Sequence, residues 1–425
     1  MRKCSVIILC LVALMCSISA SGGEDTRMRI FDSQVKTVAV NPLSNPYFPP
    51  IIALNGDDRI VVSFDYLDYD VHYLRYSITH CNADWQPSML MESEYVDGFN
   101  YADIEDYEQS DATFVHYYNY NFCIPNDNFI ITKSGNYLLK VYEQDDPDKV
   151  LFQTRFMVSE NSVNVRADVT SRTDVDYNNE HQQVSFEVMS RTRGQIRDPY
   201  SEITAVVTQN SRTDNQVVVN RPLMVGADKI TYDHNRSLIF EAGNEYRRME
   251  MVNINSINMG VQRIQYFEPL YHATLFTDQP RADVQYLYDQ TQFGRFTIRN
   301  ANYDDQSNFT ADYVMTHFTL DTGGAPLTGG RIFLQGEFAE GLPQSATLMK
   351  WDASTGLYEC NIMLKQGAYN YQYLWVPDGT TEGRTGMIEG NKYQTINEYL
   401  ICIYDHPMGE RYDHLVGFAV TYSGR

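Results

Sequence analysis

Between Gly367 and Pro377 the chain places an aromatic side chain at every second position: Tyr369, Tyr371, Tyr373 and Trp375. Successive side chains of a β-strand point to opposite faces, so all four lie on one face of a strand. The other face, Asn370, Gln372 and Leu374, is more polar. That contrast favours the aromatic stripe as the inward face of a sheet. The preceding run has a matching apolar side, Tyr358, Cys360, Ile362 and Leu364, set against Glu359 and Asn361. Flat rings in a row have a second use, as a stacking surface for sugars. At this stage Tyr369, Tyr371, Tyr373 and Trp375 are therefore either the core of a sandwich or a ligand platform.

The same period of two recurs along the chain. It predicts strands at 59–64, 73–79, 137–142 and 150–158, a group closed by a hairpin around Asp145-Asp146-Pro147-Asp148. Residues 80–128 read as a long polar loop with one helical turn near 89–95. A second group falls at 184–188, 203–209, 217–219, 238–240, 247–251 and 271–276. A third falls at 296–298, 313–320, 331–335, 346–351, 358–364, 369–376, 399–404 and 415–421, with turns at Gly323-Gly324, Gly329-Gly330 and Asp378-Gly379. No long stretch has helical periodicity. The expected fold class is all-β: serial antiparallel immunoglobulin-like β-sandwich domains with little helix. The expected boundaries are 1–20 for a signal peptide, 24–160 for an N-terminal sandwich, 161–285 for a middle one and 286–425 for the C-terminal one.

Composition narrows the function classes. Hydrophobic residues make up 43% of the 425, enough for real cores, and 32 Tyr with 20 Phe suit strands. The formal net charge of −22 repels a phosphate backbone, so no nucleic acid is expected as partner, and no polybasic membrane contact. Arg2 and Lys3, an apolar run from Cys4 to Cys16 and the small residues Ser17, Ser19 and Ala20 have the layout of a secretory signal peptide cleaved after Ala20. No other run is long and apolar enough to span a bilayer, so no membrane span is expected after cleavage. Outside the signal, Cys81, Cys123, Cys360 and Cys402 remain. In an oxidising compartment Cys81 with Cys123 and Cys360 with Cys402 are candidate disulfides; buried thiols on strands are the other reading.

Chemistry-bearing patterns are sparse. No Gly-rich phosphate loop follows a strand, and neither GxSxG nor HExxH occurs. The nine His lack paired ligand spacing. The acidic clusters Asp145-Asp146-Asp148, Asp174–Asp176 and Asp304-Asp305 match no calcium loop. No catalytic residue, cofactor or metal is expected, and the chain reads as a non-enzyme.

Ordered blocks carry a resemblance. The segment 331–376, "RIFLQGEFAEG…ATLMKWDASTGLYECNIMLKQGAYNYQYLWV", resembles early-set immunoglobulin-like modules related to glycogen-binding domains, without their pair of Trp on the tip loops. Across the chain run "RIVVSFDYLDYDVHYLRYSITHCNADWQPSMLMESEYVDGF", "SGNYLLKVYEQDD", "TRFMV", "HQQVSFEV", "VVTQNSRTDN", "FEAGNEYRRM", "LKQGAYNYQYLW" and "IEGNKYQTINEYLICIYDH". Together they resemble the plug protein family of the type IX secretion system over roughly residues 35–420. The resemblance implies a periplasmic protein on the inner side of the outer membrane. Its implied partner is the outer-membrane β-barrel translocon, whose periplasmic mouth it would block sterically. The alternative kept from the residues is a carbohydrate-binding envelope protein using the aromatic stripe.

Overall fold

A computed structural model describes residues 25–190 and 196–424. The signal-peptide reading falls on residues 1–20, outside the described residues. The chain is 48% strand and 5% helix, and its sheets pack face to face as sandwiches.

In the first sandwich one sheet has the order Arg29–Ile30, Asp146–Ser159, Gly135–Glu143, Leu74–Cys81, Ala102–Asp103. The strand Ile51–Ala53 adds to Asp146–Ser159 in parallel. The facing sheet is Val35–Pro42, Ile60–Tyr66, Tyr118–Ile124, Asp106–Gln109. Alternation along Ile60–Tyr66 sends Ile60, Val62 and Phe64 inward, all fully buried. Phe64 stacks on Tyr120 at 5.2 Å and meets Phe152 edge-on at 4.9 Å, which closes the two sheets over one aromatic core. The strand Tyr118–Ile124 lies inside what the sequence suggested was a loop. Its Tyr-Asn-Tyr-Asn alternation is regular, but Asn is a poor strand former. The structure pairs that asparagine inside: Asn119 is buried and donates to Asp65 Oδ1 at 2.7 Å.

The second sandwich sets Val163–Thr170, His181–Ser190, Ile230–Tyr232 and Met224–Val225, with Ile239–Glu241 beside His181–Ser190, against Val217–Val219, Ile203–Gln209, Glu398–Asp405 and His414–Tyr422. The third sets Gly367–Pro377, flanked by Arg247–Glu250, Phe296–Ile298 and Gly330–Gln335, against Val261–Phe267, Leu270–Leu275, Tyr313–Leu320, Leu357–Lys365 and Lys350–Asp352.

The sandwiches are therefore not strictly serial. Glu398–Asp405 pairs in register with Ile203–Gln209, from Ile203↔Asp405 to Gln209↔Tyr399. The third sandwich is an insertion between Ile239–Glu241 and Glu398–Asp405. This replaces the expected boundary at 285: Arg247–Glu250 and Leu270–Leu275 belong to the third sandwich, and the last two strands to the second. Alternation identifies a strand and its faces but carries no information on which strand it pairs with.

Gly367 is required where the aromatic strand begins. A Cβ there would meet Thr297 O at 2.3 Å, so only glycine lets Phe296–Ile298 pair alongside.

Candidate functional site

The four stripe side chains fill the third sandwich. Tyr369, Tyr371, Tyr373 and Trp375 are 2%, 4%, 0% and 6% exposed. Their polar ends are satisfied inside. The Tyr371 and Tyr373 hydroxyls donate to Asp278 Oδ2 at 2.9 and 2.8 Å, and Tyr369 donates to Lys365 O. Arg247 Nη1 donates to Asp278 Oδ1 at 2.7 Å, and Arg247 and Arg281 both grip Glu389, at 3.1 and 2.6 Å. Burial raises the Glu389 carboxyl, but the two guanidiniums outweigh it and hold it below its ordinary range. Burial pushes the Tyr371 and Tyr373 hydroxyls well up, with the Asp278 charge adding to it. Rings packed in this way have no face open to a sugar.

Cys81, Cys123, Cys360 and Cys402 are thiols, with no disulfide among them. Cys81, Cys360 and Cys402 are buried on strands and Cys123 is half-buried on one. The insertion explains one absence: Cys360 lies in the third sandwich and Cys402 in the second. Burial pushes the Cys360 thiol up to about 11 and the Cys402 thiol up to about 12, so neither is ionised at neutral pH. Among the described residues no group of three His, Cys, Asp or Glu is placed to hold a metal ion.

What the structure brings together instead is a set of seams between sandwiches. Between the first and second the seam is apolar: Ile51, Met157, Val206, Leu400, Cys402 and Leu415 pack together. Tyr404 crosses it, donating to Asn136 Oδ1 at 2.7 Å. Between the first and third it is ionic. Lys365 Nζ lies 2.6 Å from Asp65 Oδ2, with side-chain exposures of 1% and 0%. Tyr313 donates to the same oxygen at 2.6 Å, and the Lys365 ammonium sits 4.1 Å from the Tyr117 ring centroid. Burial lowers the Lys365 ammonium, opposed by Asp65. Between the second and third, Arg295 pairs with Glu398 at 2.6 Å and Arg212 donates to Gly383 O at 2.7 Å. None of these partners was legible in sequence. Asp65 and Lys365 stand 300 residues apart, and strand alternation carries no sign that they pair.

The segment that follows the strand Leu74–Cys81 carries exposed apolar side chains. Met89, Met91, Phe99 and Tyr101 are exposed, with the Phe99 and Tyr101 rings 5.6 Å apart. Arg411 of the second sandwich bonds to Glu94 and reaches the Met89 carbonyl at 3.5 Å, which ties this segment to the second sandwich.

Comparisons with known proteins bear on both the fold and the seams. A family model described as the type 9 secretion system plug protein 1st domain matches residues 35–160, the span of the first sandwich apart from its leading strand. A crystal structure of a hypothetical protein from Parabacteroides merdae ATCC 43184 is similar at 40% identity and a TM-score of 0.91. The match covers 93% of this chain and 99% of that one, so all three sandwiches and their arrangement are shared. No curated protein matches the chain.

Proposed function

The chain belongs to the type 9 secretion system plug protein family, and we propose that it is the plug itself: a non-catalytic periplasmic protein that docks on the periplasmic mouth of the outer-membrane translocon and closes the pore by occupying it. The family match over the first sandwich carries this reading. Family membership suggests a periplasmic, envelope-associated protein, and among the described residues no helix is long and apolar enough to cross a membrane.

The physical requirements of a plug are stiffness and a contact face. Stiffness comes from the seams. An apolar seam, a buried ion pair and an Arg–Glu pair join the three sandwiches pairwise, so none is tethered by a linker alone. The contact face of this reading is the exposed apolar segment that follows Leu74–Cys81 in the first sandwich. Exposed Met89, Met91, Phe99 and Tyr101 are large apolar side chains of the kind that contribute to interaction surfaces, and unbranched Met side chains adapt to a partner's shape.

The test is outer-membrane permeability. Deletion of the protein is expected to admit large antibiotics that an intact outer membrane excludes, and the wild-type chain to restore exclusion. Met89→Glu combined with Phe99→Asp is expected to fold normally and fail to restore it. Full restoration by that variant would remove the contact face from the account. An unchanged barrier on deletion would remove the plug.

A further inference from the structure

The third sandwich carries two histidines and two methionines on the outer face of one sheet, away from the aromatic stripe. Along Tyr313–Leu320, Val314, Phe318 and Leu320 are buried in the sandwich core, so Met315 and His317 point the other way and are half-buried. Along Leu270–Leu275, Ala273 and Leu275 turn inward and His272 outward. Along Leu357–Lys365, Ile362 and Leu364 turn inward, and Asn361 and Met363 outward. Met315 and Met363 therefore sit on the wrong face for apolar side chains and are no part of that core.

Strand pairing brings the four together. Leu270–Leu275 runs parallel to Tyr313–Leu320 with His272 opposite Met315. Leu357–Lys365 runs antiparallel on the other side, with Met363 opposite Met315 and Asn361 opposite His317. Neighbouring strands lie about 4.8 Å apart, so His272, Met315 and Met363 form one row, and His317 stands next along the strand on the same face. His272 Nδ1 lies 2.8 Å from His317 Nε2, with the rings nearly parallel and their centroids 5.1 Å apart. The histidines are 45 residues apart in the chain, and only the parallel pairing makes them neighbours. Asn361 Oδ1 lies 2.7 Å from His317 Nδ1. A carbonyl oxygen only accepts, so that nitrogen keeps the proton and Nε2 presents its lone pair towards His272. Ligating histidines are oriented in this way, one ring nitrogen held from outside and the other left for the ion. Burial, and then His317 beside it, hold the His272 imidazole below its ordinary range, which favours its neutral, ligating form.

We propose that His272, His317, Met315 and Met363 form a binding site for copper(I). The ion takes His272 Nδ1 and His317 Nε2, and the two thioether sulfurs complete a four-coordinate set. The distance suits this. Nitrogens bound to one ion at about 2.0–2.1 Å stand roughly 2.8–3.4 Å apart, and the pair is already at 2.8 Å. The ion replaces the hydrogen bond between the rings, and the His272 proton moves from Nδ1 to Nε2 through solvent, so no net proton is released. The flexible methionine stems bring the sulfurs to the ion. Donor chemistry selects the metal: thioethers are soft and favour copper(I), imidazole accepts it, and calcium or magnesium would find no carboxylate in the set. The site lies in the third sandwich and does not depend on docking.

Anaerobic titration of the coloured copper(I)–bicinchoninate complex with the purified full chain tests it. A Cys123→Ser background removes the half-buried thiol as a competing ligand. The protein is expected to withdraw about one equivalent of copper(I), and copper K-edge X-ray absorption to show both nitrogen and sulfur around the ion. Met315→Leu combined with Met363→Leu keeps the side-chain volume, and His317→Gln keeps a polar surface residue. Each is expected to weaken copper(I) at least about tenfold, with the unfolding midpoint of the ion-free chain unchanged. Zinc(II), which imidazoles hold without sulfur, is expected to bind equally with and without the methionine changes. No copper(I) withdrawn, a shell without sulfur, or undiminished copper(I) affinity in the double methionine variant overturns the proposal.

Discussion

Replacing Lys365 with methionine removes the cation that joins the first sandwich to the third. Asp65 then remains buried, its carboxylate facing only the Tyr313 hydroxyl at 2.6 Å and the Asn119 amide at 2.7 Å. Breaking a buried pair by removing one partner costs about 3–5 kcal/mol. The two remaining neutral donors place the expected cost near the lower end, about 3 kcal/mol. With a urea dependence of about 2 kcal/mol per M, the midpoint of the first unfolding transition falls by roughly 1–2 M. Two signals separate the sandwiches: Trp85 reports on the first, Trp351 and Trp375 on the third. The double variant Asp65→Asn with Lys365→Met leaves no uncompensated charge, and is expected to recover at least about half of the loss. Equilibrium urea unfolding by fluorescence and circular dichroism checks both. A midpoint within about 0.3 M of wild type for Lys365→Met, or a double variant less stable than either single one, would refute the reasoning.

Other outcomes follow from the same structure. Burial brings the His80 imidazole down to about 4, so the folded chain keeps it neutral where the unfolded chain, titrating near 6.5, takes a proton. The unfolded state then binds more protons, and stability contributed by His80 is lost as pH falls from about 6.5 to about 4, by about 3 kcal/mol in all. The stability difference between wild type and His80→Gln, measured across that window, is expected to show this slope; a difference independent of pH contradicts it. Tyr371→Ala is expected to cost about 3–5 kcal/mol and unfold the third sandwich first, seen as early exposure of Trp375. Gly367→Ala places a methyl group against Thr297 O and is expected to cost about 1–3 kcal/mol, with amide exchange rising along Phe296–Ile298.

The sequence carried the faces of strands well and their partners poorly. Tyr369 to Trp375 alternate so regularly that the sequence alone favours them as an inward face, because side-chain period is local geometry. The pairing of Glu398–Asp405 with Ile203–Gln209 was hidden, because a strand's neighbour is settled by long-range packing. Tyr118–Ile124 was hidden differently: its asparagines read as loop residues until Asp65 supplied an acceptor inside the sandwich. The pairing of Asp65 with Lys365 was hidden in the same way, since the two stand 300 residues apart. So was that of His272 with His317, 45 residues apart. The family resemblance, spread over many blocks, pointed to the family whose model matches residues 35–160, where residue chemistry alone did not.

A plug must physically occupy the translocon mouth. Affinity purification of the tagged chain from gently solubilised envelopes, followed by mass spectrometry, tests it most directly. The expected result is a large outer-membrane β-barrel recovered in near-equal amount, and lost with Met89→Glu combined with Phe99→Asp. Recovery of the chain with no barrel protein, under conditions that keep other envelope complexes intact, would contradict the account.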